Sequence, residues 1–96
     1  MKEEAFRRFL SSTYKSQREG QPLSSRAVGD CVSRLRRAEK VLGIDADRTN
    51  LDHNGLKRLA ERLEGKMAEI GLAEFVVHDC MAALRRYSAF KESSRS

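Results

Sequence analysis

Apolar residues recur along most of this chain at three- and four-residue steps, the period that gathers side chains on one side of a helix. The clearest run is Val28, Cys31, Val32, Leu35, Ala38 and Leu42, set within residues 23–43. Ser24 or Ser25 can accept hydrogen bonds from the free amides of the first turn, and Gly43 suits the left-handed position that closes a helix. An earlier run, Phe6, Phe9, Leu10 and Tyr14, predicts a first helix over residues 2–17, with Lys2, Arg7, Arg8 and Lys15 mostly outside its apolar face. A polar loop, 17–22, separates the two, because Gly20 and Pro22 both discourage helical continuation. Residues 44–55, dense in Asp, Asn and Gly, form a long connection anchored by Ile44 and Leu51.

Leu56, Leu59, Ala60, Leu63 and Met67 predict a third helix over residues 54–69, in which Gly65 is a weak point. A fourth, over 73–92, carries Ala73, Val77, Cys80, Met81, Leu84 and Tyr87 on one side. Phe75, Val76, Ala83 and Phe90 widen that stripe, which predicts the most buried helix of the four. Its polar face carries His78, Asp79, Arg85 and Arg86, with the small residues Ala82 and Ala89 between them. The tail after Lys91 lacks apolar residues and is expected to fray.

No window shows the period-two alternation of a half-buried strand, so the chain reads as all-α, a compact four-helix bundle. At 96 residues, with 40% apolar and 34% charged content, it makes one domain, over 1–92 with 93–96 as a frayed tail. Met1-Lys2-Glu3-Glu4 is followed by alternating charge rather than an apolar signal region, and no run approaches the length of a membrane span. A cytoplasmic protein with no membrane partner is expected.

Net charge is +5 and unevenly spread. Residues 1–43 hold ten Lys/Arg against five Asp/Glu, 44–74 hold five against seven, and 75–96 hold four against two. On the second helix, Arg26, Ser33, Arg36, Arg37 and Lys40 project away from the apolar stripe, with Arg34 on its flank. A face of that kind concentrates a polyanion, and binding to it weakens with salt.

Other chemistry is thinly supported. Asp45-Ala46-Asp47-Arg48-Thr49 opens like a calcium loop, but Asn50 stands where the sharp turn needs Gly and Leu56 where a bidentate Glu is needed. His53 and His78 have no zinc-ligand spacing, so no metal or other cofactor is expected. Cys31 and Cys80 lie on apolar stripes without a CxxC spacing and read as buried thiols. Tyr14 and Tyr87 read as core or rim packing. No GxSxG, P-loop or HExxH motif is present, and a helical domain this small rarely encloses a substrate pocket, so no enzyme activity and no small-molecule substrate are expected.

Taken in order, Phe6 with Phe9-Leu10, Leu23-Ser24, Val32-Ser33-Arg34-Leu35, Leu42-Gly43-Ile44-Asp45 and Asp79-Cys80-Met81-Ala82-Ala83-Leu84-Arg85-Arg86-Tyr87-Ser88-Ala89-Phe90 resemble one known module. It is the N-terminal core-binding (SAM-like) domain of tyrosine recombinases, the phage-integrase superfamily. The resemblance spans residues 5–91, and Ala83-Leu84-Arg85-Arg86-Tyr87 with Phe90 looks like that module's last helix. It implies a four-helix bundle that clamps duplex DNA with its second and fourth helices, in phage or mobile-element recombination within the prokaryotic cytosol or nucleoid. Carried over, it places Arg26, Ser33, Arg36, Arg37 and Lys40, and His78, Arg85 and Arg86, near phosphates or base edges. The family's catalytic domain has no counterpart here, and Tyr87 is not its tyrosine nucleophile.

The expected function is therefore that of a non-catalytic module contacting the backbone of duplex DNA through the basic faces of the second and fourth helices. The alternative is a protein-interaction module, a homodimeric adaptor or phage-type inhibitor on the same scaffold. In that case Phe75 and Phe90, at the edges of the fourth helix's stripe, form an exposed apolar patch.

Overall fold

The computed structural model describes residues 1–13 and 23–94. Helix α1 covers Glu3–Arg8 and passes into a π-helical turn at Phe9–Thr13. Helices α2, α3 and α4 cover Ser25–Leu42, His53–Ile70 and Glu74–Ser94, and no strand occurs among the described residues. The first helix is thus not one regular α-helix over its expected span. Ser11 and Ser12 donate their hydroxyls to the carbonyls of Arg7 and Arg8, at 2.8 and 2.6 Å, at the point where the α-helical ladder widens. Tyr14 and the loop expected at 17–22 lie outside the described residues.

The ends of α2 follow from two residues. The Ser24 hydroxyl accepts from the Ala27 amide at 3.2 Å, and Gly43 sits at φ 65°, a left-handed conformation costly for any side chain. Asp52 caps α3 in the same way, accepting from Gly55 at 2.7 Å, and Gly71, at φ 69°, closes it. The Gly55 amide, with help from Asn50, holds the Asp52 carboxyl below its ordinary pKa. Gly65 does not interrupt α3, and α4 runs on through Ser94 where fraying was expected.

The core is one cluster drawn from every helix. Leu35 of α2, Leu63 of α3 and Leu84 of α4 are fully buried, with Phe6 and Leu10 closing one side. Val28, Cys31, Val32, Ala38 and Leu42 all fall inside, so α2 buries the whole stripe its spacing marks out. Helix α4 packs against both α2 and α3 and has the largest share of the core, burying eight residues from Val76 to Phe90.

Phe90 is a correction to the exposed patch. It is only 7% accessible, with ring centres 5.6 Å from both Phe6 and Phe9 and 5.2 Å from Tyr87. The first helix lies over it, and tilted ring contacts of this kind add to simple burial. Phe75 remains 68% exposed.

The connection between α2 and α3 is folded back rather than loose. Ala46 is fully buried, and Leu51 nearly so. The Tyr87 hydroxyl donates to Asp47 while accepting from the Lys2 amide at 2.9 Å, which ties the start of the chain, the connection and α4 together. Lys91 donates to the carbonyls of Ala46 and Thr49 at 2.9 and 2.7 Å, and Ser88 to that of Leu51 at 2.7 Å. Burial, reinforced by the Asp47 carboxylate, pushes the Tyr87 phenol well above its ordinary pKa of 10.0.

Candidate nucleic-acid interface

At 100° per residue, Arg34 and Arg36 leave α2 on opposite sides of the buried Leu35, while Arg26, Ser33, Arg37 and Lys40 fall between them on the far side. The neighbouring helices make use of that difference. Arg36 pairs with Glu3 of α1, which also holds Arg7 at 3.1 Å. Arg34 lies 3.6 Å from Asp79 of α4. Both flanking arginines are thereby neutralised within the fold, though each remains more than 40% exposed, where such pairs contribute little and exchange partners readily.

The strip between them is different. Arg26, Ser33, Arg37 and Lys40 are all exposed, and none of the three cations forms an ion pair among the described residues. From Arg26 to Lys40 the rise is about 21 Å. One acid, Asp30, falls on the same side of the helix, exposed one turn after Arg26 and not paired with it.

The basic residues of α4 divide between two seams. Arg86 is half-buried on the α2 side, where its guanidinium hydrogen-bonds the buried Cys31 thiol. Burial raises the Cys31 pKa, and Arg86 and Arg34 oppose that rise. Cys80 is likewise pushed up by burial, with Arg37 near enough to act against it. Arg86 therefore stands along the α2–α4 seam, and Arg37, on the strip, lies within electrostatic reach of it.

Arg85 points the other way. It is exposed and lines a groove of about 180 Å³ with Met81 and with His53, Leu56, Lys57 and Ala60 of α3. His78 is exposed as well, 3.9 Å from Glu74 one turn before it. The second and fourth helices thus do not pool all their cations on one surface. Arg86 adjoins the α2 strip, whereas Arg85 and His78 belong to the α3–α4 face. Lys57 and His53, which complete that face, were not picked out as site residues because α3 carries a net negative connection before it and no obvious basic run; the four- and three-residue steps from His53 to Lys57 to Ala60 were the available signal.

A depression of about 500 Å³ is lined by Asp47, Asp52, Ser88 and Lys91 among others, and both Ser88 and Lys91 are committed to backbone carbonyls. Among the described residues no group of three or more His, Cys, Asp or Glu is placed to hold a metal ion, and no helix is long and apolar enough to cross a membrane. No family model, curated protein or solved structure matches this chain.

Proposed function

We propose that this chain is a non-catalytic DNA-binding module that lies along the backbone of duplex DNA through the outer face of α2. One observation carries the reading: Arg26, Arg37 and Lys40 are exposed on one strip, with no carboxylate partner among the described residues. Surface cations needed only for solubility are normally interleaved with acids, as Lys66 is with Glu69 at 3.4 Å. Ser33 lies within the strip and offers a hydroxyl to a phosphate oxygen, and Arg86 extends it across the seam. Arg36, itself exposed, is available through exchange of its half-buried partner Glu3.

Nothing on this strip has the Asn, Gln and Arg spacing of a base-reading helix, so contact is mainly to phosphate and affinity depends little on sequence. Three neutralised phosphates give a slope of about −2.7 in log K against log salt. The same reading supports a kinship in role with the core-binding domain of tyrosine recombinases, in which Arg85 and His78 would serve only if the duplex also reached the α3–α4 face. Fluorescence anisotropy with a labelled duplex, titrated with salt, tests the proposal. Affinity that falls steeply with salt and is shared by unrelated sequences supports it, and absence of binding at low salt rejects it.

A further inference from the structure

We propose that the outward face of the α3–α4 hairpin is a two-fold interface with a second copy of this chain. Ile70 and Phe75 are the large apolar side chains left exposed among the described residues, at 58% and 68%, and both lie beside the α3–α4 turn. Phe75 opens a stripe, Phe75, His78, Ala82 and Arg85, whose spacing puts it on one face of α4. His53, Lys57, Ala60, Glu64 and Met67 form the matching stripe on α3. The two border the same furrow, because His53, Lys57 and Ala60 line it together with Met81 and Arg85.

Charge along the furrow is polarised. His53, Lys57 and Arg85 stand at the end where α3 begins, and Glu64 and Glu74 stand toward the turn, beside Phe75. Lys57, Arg85 and Glu64 are exposed and have no ion pair among the described residues. A two-fold axis crossing the hairpin near Ala60 and Ala82 exchanges the two ends. It sets the cations of each copy against the acids of the other, and does so twice, as a closed isologous contact requires. Lys57 and Glu64 lie on opposite sides of Ala60 at nearly equal spacing, so each meets the other across the axis. Phe75 of one copy reaches the end of the furrow that holds Arg85 of the other, where a guanidinium over an aromatic face adds a cation–π contact.

A polyanion fits this face poorly, since Glu64 and Glu74 repel it and Leu56, Ala60 and Met81 offer it no hydrogen bonds. A hairpin of this length and two helices' width presents about 600 Å² per copy. The pair buries about 1,200 Å², at the lower edge of specific interfaces, so the dimer is weak and depends on concentration.

Sedimentation equilibrium of the whole chain without nucleic acid tests this, independently of DNA binding. The wild type is expected to pass from monomer to dimer as concentration rises through the micromolar range. Lys57→Glu with Arg85→Glu, and separately Glu64→Lys with Glu74→Lys, each weaken self-association at least about tenfold, while an equimolar mixture of the two variants restores a dimer. Circular dichroism confirms that both variants keep their helices. A wild type that stays monomeric throughout, variants that dimerise unchanged, or a mixture that fails to associate overturns the proposal.

Discussion

Helices α2 and α4 each carry an adjacent pair of arginines, Arg36-Arg37 and Arg85-Arg86, and the fold treats the pairs differently. Helix α2 has a neighbour on either flank and an open back, so Arg36 turns to Glu3 while Arg37 stays in solvent on a strip with Arg26 and Lys40. Helix α4 is the shared partner of α2 and α3, and its basic pair falls toward the two different neighbours. Arg86 is drawn to Cys31 on one side, and Arg85 borders the α3 groove on the other. The same dipeptide thus makes a coherent charged face on an amphipathic helix and two separate patches on a central one. What a basic helix can do depends on how many sides of it are already occupied.

The comparison is most severely tested by removing what makes α4 central. Phe6→Ala takes away the ring against Tyr87, at 4.8 Å, and Phe90, and leaves a cavity under α1. We expect a loss of about 3–5 kcal/mol in urea unfolding, a large fraction of what a domain this size possesses. A much smaller loss would mean that α1 is not the cover over α4's aromatic side.

Tyr87→Phe is the next largest change. It keeps the ring but strands the Lys2 amide and Asp47, and should cost about 1–3 kcal/mol at neutral pH. The pH dependence has a definite sign. Because the folded phenol titrates above its ordinary pKa of 10.0, its contribution is present in full below that pH and is lost as pH rises beyond it. The wild type should therefore weaken above about pH 10 more steeply than Tyr87→Phe, as read from denaturant midpoints across that range.

Smaller effects sharpen the α2 side. Ser24→Ala removes the N-cap and should cost about 1 kcal/mol, with fraying confined to the first turn in amide exchange. Arg36→Ala breaks an exposed pair with Glu3 and should change stability by less than about 1 kcal/mol. If Arg36→Ala instead destabilised as much as Tyr87→Phe, the distinction between a committed and an exchangeable arginine would fail.

Helix α2 was legible in full, because its start, stop and buried stripe are all local: Ser24, Gly43 and the apolar period decide them. Helix α3 matched its expected span to within one residue at each end for the same reason. What the sequence did not show was set by contacts between segments far apart in the chain. Phe90 looked like an edge residue because nothing in α4 reveals that Phe6 and Phe9 will cover it. Ala46 gave no sign of burial, since it lies in a polar connection that folds onto α4 through Asp47 and Lys91. The candidate site follows the same rule. Its α2 half could be read from residue spacing, whereas the assignment of Arg85 and Arg86 to different seams depends on where α2 and α3 lie.

The most direct test of the central claim is the salt dependence of duplex binding for the wild type beside a triple variant, Arg26→Ala, Arg37→Ala and Lys40→Ala. Each side chain should account for about 0.9 of the slope, so the variant's slope should be shallower than the wild type's by about 2.7, with helicity unchanged. A triple variant that binds duplex as tightly as the wild type, with the same slope, would contradict the assignment of the DNA face to α2.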